Sequence, residues 1–328
     1  MSGLLEVSHE TRYDYTAPVS LAHHLAHLQP LQDDHQRLLA FDLDIEPPPA
    51  QARDSVDAMG NAARHFSLAV PHRSLCVRAV SRLRVTPRFS DLQPEASPAW
   101  EELARRVRYV AQTDFEPAVE FALPSPYVPR LAALRRYGDA SFRPGRAVAA
   151  VAIELMQRIH ADFRYDSDST DIDTPLDTVL RERRGVCQDF AHLMAGVLRM
   201  RGLPARYVSG YLLTRAPAGE AAAGREMQGA DASHAWVQVW CPGTPGAAAG
   251  WLDLDPTNDL VPGGGHVRVA VGRDFGDVTP LRGVIRGGGH HRMTVGVTTR
   301  ALPAPAAGAA SERELLASPI RTEESAPP

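Results

Sequence analysis

Between positions 187 and 255 the hydrophobic period of the chain switches from helical to alternating, and this switch constrains the fold more than any other feature. After Cys187 the apolar residues Phe190, Leu193, Met194, Val197 and Leu198 recur at helical spacing and form one stripe. Arg199 to Arg201 close this helix, and Gly202 with Pro204 stop it. Residues 206–213 then read as a strand. Residues 234–240 and 251–255 alternate with a period of two and are joined by a turn containing Gly and Pro. That pattern predicts an antiparallel hairpin.

The remaining segments fall into blocks. Residues 1–90 alternate as strands do, as in Leu39 to Ile45 and Ser81 to Val85, with Pro47-Pro48-Pro49 and Met59-Gly60-Asn61 as loop and turn. They predict a β-rich N-terminal domain. Residues 91–145 are proline-rich and of mixed charge, and read as a linker with a helical segment around Trp100 to Val110. Residues 146–262 form the core, opened by a helix from Ala147 to His160. Within it, the Ala- and Gly-rich stretch 216–229 reads as a flexible loop. Residues 263–300 read as a C-terminal strand extension broken by Gly287-Gly288-Gly289, and 301–328 as a disordered tail without period.

Composition narrows the function. A net charge of -4 argues against general nucleic-acid or membrane partners. All 35 basic residues are arginine, so the chain cannot serve as its own lysine acyl acceptor. The three cysteines, Cys76, Cys187 and Cys241, are an odd and sparse set that suits a reducing compartment and fits no disulfide framework. Cys76 lies in an alternating run and reads as a buried strand residue, and Cys241, before Pro242-Gly243, ends a strand. The first ten residues lack the basic start and apolar core of a signal peptide, and no apolar stretch is long enough to span a bilayer. The expected location is the cytoplasm.

Cys187 stands apart from the other two. At the first turn of a helix, backbone N–H groups and the positive dipole end point at sulfur and favour a thiolate. The hairpin brings an imidazole and carboxylates. His234, Trp236, Gln238 and Trp240 share one strand face, and Trp251, Asp253 and Asp255 share one face of the next. Antiparallel pairing sets His234 and Asp255 at the same end, with Asp253 as the rival partner. Thiol, imidazole and carboxylate are the parts of an activated nucleophile, its base and the orienter of that base. The backbone N–H of Cys187 is the natural first oxyanion donor. Gln188, Tyr165 and the tryptophans are options for the second.

Three blocks carry a family resemblance. Gly185-Val186-Cys187-Gln188-Asp189-Phe190-Ala191-His192, Ser233-His234-Ala235-Trp236-Val237 and Leu254-Asp255-Pro256-Thr257-Asn258 resemble the catalytic blocks of the bacterial transglutaminase-like superfamily. Thr11-Arg12-Tyr13-Asp14-Tyr15, Asp57-Ala58-Met59-Gly60-Asn61 and Phe66-Ser67-Leu68 resemble its N-terminal β-domain. Gly272 to Pro280 with Arg282-Gly283-Val284 resembles its C-terminal region. The resemblance implies an α+β fold. A papain-like transglutaminase core, with the helix carrying the cysteine packed on an antiparallel sheet, follows the β-rich domain. It implies a triad of Cys187 as nucleophile, His234 as base and acid, and Asp255, rather than Asp253, as orienter.

The expected activity is thiol-dependent acyl transfer on an amide of a peptide or protein through a thioester. Water is favoured over an amine as acceptor, and no metal or cofactor is needed. Glutamine transamidation and a non-catalytic scaffold are the alternatives. The candidate metal sites are His23, His24 and His27, then His290 and His291, and then Asp166, Asp168, Asp171 and Asp173. None has a complementary ligand spacing.

Overall fold

The computed structural model describes residues 3–108, 110–112, 116–167, 169–213, 227–228, 233–247 and 250–303. The alternating N-terminal segment folds into β1 (Gly3–Ala26), β2 (Gln36–Glu46), β3 (Gln51–Val56), β4 (Ala62–Leu68) and β5 (His72–Val85). Their order across the sheet is β2-β5-β1-β4-β3, with antiparallel neighbours throughout. β1 is long enough to change partners: residues 3–14 pair with β5, whereas residues 22–26 pair with β4. The β5 ladder shifts register between Asp14 and Val19, around Pro18, which has no N–H to give it.

Segment 91–145 is more than a linker. It holds α1 (Trp100–Arg106), near the expected helical stretch, and α2 (Ala132–Gly138), which the short and interrupted apolar pattern did not reveal. Leu103, Leu134 and Phe142 are buried in the same core as the helices that follow. Those are α3 (Val148–Asp162), α4 (Leu176–Glu182) and α5 (Cys187–Arg199). A two-residue parallel pair, β6 (Arg164–Tyr165) with β7 (Arg184–Gly185), ties the ends of the loop before the Cys187 helix.

The core sheet contains β8 (Ala205–Leu212), β9 (His234–Trp240), β10 (Trp251–Leu254) and β11 (His266–Gly272), ordered β10-β9-β8-β11 and antiparallel. β9 and β10 form the expected hairpin. α5 packs on β8 and β9, and α2, α3 and α4 close its other sides. The apolar stripe of α5 is therefore only part of what it buries: Asp189, His192 and Arg199 are buried too. Arg199 is accommodated by hydrogen bonds, donating to the Ala205 carbonyl (2.8 and 3.1 Å) and to Ser125 Oγ (3.1 Å).

The C-terminal extension divides between both sheets. β11 belongs to the core, whereas β12 (Leu281–Gly287) and β13 (His291–Leu302) return to pair antiparallel with β1, after the short α6 (Phe275–Val278). β13 runs two residues into the expected tail, because Ala301 and Leu302 pair with Leu5 and Leu4. Residues 304–328, and all of the expected 216–229 loop except 227–228, lie outside the described residues. No described helix is long and apolar enough to cross a membrane.

Two buried amides fasten the N-terminal sheet to the edge strand β11. Gln36 accepts from Arg268 N (2.8 Å) and donates to Arg268 O (2.7 Å). Asn61 makes the same pair with Val271 N and O (both 2.8 Å). Each side chain thus satisfies both backbone groups of a residue on β11. Asn61→Leu would leave two buried backbone groups unpaired, and we expect a loss of about 3 kcal/mol in urea denaturation. A loss below about 0.5 kcal/mol would show that this fastening adds little.

Candidate active site

The nucleophile is set by the start of α5. Val186 precedes the helix in an extended conformation, and its N–H donates to Asp189 Oδ2 (2.8 Å), which also accepts from Thr170 Oγ1 (2.7 Å). The Asp189 carboxylate curls back over the chain, so the residue two before Cys187 has no room for a side chain. A Cβ at Gly185 would lie 2.7 Å from Asp189 Oδ2. That close approach, rather than a tight turn, is what demands glycine here. Cys187 is half-buried and faces a cavity of about 400 Å3 that His234 also lines.

His234, at the start of β9, donates through Nε2 to Asp255 Oδ2 (2.9 Å), with both side chains fully buried. Its other ring nitrogen, Nδ1, is buried and has no hydrogen-bond partner among the described residues, and Cys187 lines the same cavity. Burial would make His234 less basic; the charge and hydrogen bond of Asp255, and then Cys187, outweigh it and hold the pKa up at about 10. Burial likewise opposes ionisation of Asp255, and His234 and His266 overcome it and keep its pKa well below the usual carboxylate range.

The two candidate carboxylates separate cleanly. Asp253 pairs in register with Gln238 but accepts from Trp236 Nε1 (3.1 Å), two residues along. Asp255 makes the same diagonal reach to His234. It is further anchored by Thr257 N (3.0 Å) and Asn258 N (3.2 Å) on Oδ1, and by Asn258 Nδ2 (2.9 Å) on Oδ2.

A second imidazole reaches Asp255. His266, the first residue of β11, places Nε2 3.1 Å from the same Asp255 oxygen and packs edge-on against Trp236. No local motif marks it; only its position as first residue of a strand two along in the sheet brings it there. We expect His266→Ala to slow alkylation of Cys187 at pH 6 by about tenfold, the value of one hydrogen bond to a charged group. His266→Gln, which restores a donor, should recover most of it. Equal rates at every pH would make His266 a packing residue only.

Among the options for a second oxyanion donor, Gln188 Nε2 is bonded to the Ile172 carbonyl (3.2 Å) and Trp236 Nε1 to Asp253. Tyr165 lines the cavity. Tyr207, on β8, lines it as well. Burial, and then the nearby Cys187, push its hydroxyl far above its usual pKa, so it stays a donor.

Three of the clustered histidines make contacts of their own. His24 stacks on Phe66 at 5.0 Å, and burial lowers its pKa to about 4. His27 Nδ1 bonds the Thr279 carbonyl (3.3 Å), and His291 packs against Tyr13 and Tyr15. In the acidic run, Asp166 pairs with Arg164 (3.0 Å), Asp173 accepts from Tyr127 (3.4 Å), and Asp168 lies outside the described residues. The His234, Asp255 and His266 ligand atoms lie within 4.8 Å of one another. Two imidazoles and a carboxylate are a set that zinc accepts; both imidazoles reach the same Asp255 oxygen.

Comparison with known proteins shows the family and the fold. Residues 5–93 match the family model of the bacterial transglutaminase-like N-terminal region, and residues 139–256 that of the transglutaminase-like superfamily. An uncharacterized protein of Mycobacterium tuberculosis is 40% identical over 274 residues, spanning 83% of this chain and 84% of that one. A protein-glutamine gamma-glutamyltransferase of Pseudomonas aeruginosa is 36% identical over 128 residues, 38% of this chain and 17% of that one. The crystal structure of a candidate cysteine protease from Cytophaga hutchinsonii superposes with a TM-score of 0.67, at 20% identity, over 94% of this chain and 93% of that one.

Proposed function

The chain belongs to the transglutaminase-like superfamily, and from that premise we propose that it is a thiol enzyme that cleaves or exchanges amides through a Cys187 thioester. The observation that carries this reading is the orientation of His234: Nε2 is held by Asp255, which leaves Nδ1 to the thiol across the same cavity. A lone buried histidine has no need of a carboxylate so thoroughly anchored on its far side.

The proposed chemistry follows from these contacts. The Cys187 thiolate attacks the amide carbonyl, and the developing oxyanion takes hydrogen bonds from the Cys187 backbone N–H and the Tyr207 hydroxyl. His234 delivers the Nδ1 proton to the departing amine as the C–N bond breaks, leaving a thioester and a neutral imidazole. The imidazole then takes a proton from water or from a second amine, which attacks the thioester and returns the thiolate. Asp255 keeps the ring oriented and favours its charged form throughout.

We favour water as acceptor, because the cavity rim is open: Ile172 is 49% and Met293 46% exposed. The sequence similarity to the Pseudomonas glutamyltransferase favours amine transfer as the second reading. Mass analysis of a glutamine peptide incubated with the protein, with and without a primary amine, separates them. A deamidated product in both reactions supports hydrolysis; an amine adduct supports transfer. No product from any amide tested, with an unreactive Cys187, would leave the scaffold reading.

A further inference from the structure

We infer that the N-terminal sheet and the returning C-terminal strand together form the acyl-donor subsite, and that the donor it fits is an uncharged, apolar peptide segment. This rests on the thiol-enzyme reading above. The cavity that holds Cys187 and His234 is closed on its far side by β1 and β13. Thr11 and Tyr13 of β1 pair in register with Val295 and Met293 of β13, and all four side chains line the cavity. Alternation puts them on one sheet face. The core domain supplies the thiol, and the β-domain supplies the wall facing it.

The chemistry of that wall selects the donor. No Asp, Glu or Arg side chain lines the cavity among the described residues. The charges of the same strand lie at the alternate positions, where Arg12 pairs with Asp14 and Glu10 with Arg78. Met293 and Val295 are 46% and 40% exposed, and Ile172 on the opposite rim is 49% exposed. Single exposed apolar residues are ordinary, but three gathered at the mouth of one cavity beside a candidate nucleophile form a binding surface. A charged side chain entering along this wall would lose water and find no Asp, Glu or Arg to pair with. An aliphatic or aromatic one would cover Met293, Val295 and Ile172. The cavity, at about 400 Å3, holds a few side chains rather than a folded protein surface.

Acetyl-Leu-Gly, acetyl-Glu-Gly and acetyl-Arg-Gly chloromethyl ketones test this on the full chain. Each alkylates Cys187 without needing an acyl acceptor, and each rate is divided by that of iodoacetamide on the same protein. The leucine probe is expected to react about tenfold faster than either charged probe, the range of a side chain matched to an apolar pocket. Met293→Glu should bring the arginine probe up to the leucine rate, and Val295→Arg should do the same for the glutamate probe. Equal rates for the three probes on the wild type, or ratios that neither substitution moves, would overturn the subsite while leaving the thiol-enzyme reading intact. If Cys187 reacts with iodoacetamide no faster than Cys76, the thiol-enzyme reading fails, and this inference fails with it.

Discussion

In His234→Ala, alkylation of Cys187 by iodoacetamide at pH 6 is expected to fall by about 100-fold, because the sulfur loses the base that takes its proton and the cation that faces it. Asp255 and Cys187 hold the His234 pKa up at about 10. The imidazolium therefore persists across pH 5 to 9 and stays beside the sulfur throughout that range. In the variant the rate should climb with pH as a free thiol's does. The other cysteines are internal controls: burial pushes the thiol of half-buried Cys76 up, and Cys241 is fully buried with its thiol pushed far up. A wild-type Cys187 that reacts no faster than Cys76 at pH 6 would remove the thiolate–imidazolium pair and with it the enzyme.

The parts of this site that the sequence revealed are those governed by local period. The helix starting at Cys187 and the hairpin 234–240/251–254 follow from spacing alone, and so does the placement of His234 and Asp255 at one end. Alternation could not separate Asp253 from Asp255, because both sit on one face. The difference lies in where β10 stops. At Asp255 the chain turns, and Thr257 N and Asn258 N close onto its Oδ1. The ordinary Asx turn written in Asp-Pro-Thr-Asn is itself what fixes the carboxylate against His234. What stayed hidden is long-range. His266 reaches Asp255 across the sheet, Gln36 and Asn61 meet β11 more than 200 positions away, and β13 returns to β1 to wall the cavity. Such contacts depend on topology, which no window of neighbouring residues contains.

Asp255→Ala carries the largest expected stability cost. Its carboxylate is fully buried and satisfies His234, His266, Asn258 Nδ2 and two backbone N–H groups at once. Removing one member of a buried pair leaves the other charge uncompensated, at about 3–5 kcal/mol. The pH dependence tests the electrostatic origin of this cost. Asp255 has a lowered pKa, so its contribution is present above the ordinary carboxylate pKa and is lost as pH falls through the depressed one. His234 has a raised pKa, so its contribution is complete below the ordinary histidine value and is lost as pH rises through about 10. The stability gap between wild type and variant should therefore be widest near pH 4 and shrink progressively towards pH 10. Urea midpoints at pH 5, 7 and 10 measure it. A gap that does not change with pH would assign the loss to packing and unpaired backbone groups. The ion pair would then be a consequence of the turn rather than a source of stability. Asp255→Asn refines the result, since it keeps the shape and acceptor oxygen but not the charge. It should recover the part of the loss that belongs to the Thr257 and Asn258 N–H groups, while His234 reverts towards the low pKa that burial alone dictates. Cys187 would then lose its cationic neighbour at neutral pH in a protein that still folds, which separates what Asp255 does for the fold from what it does for the thiol.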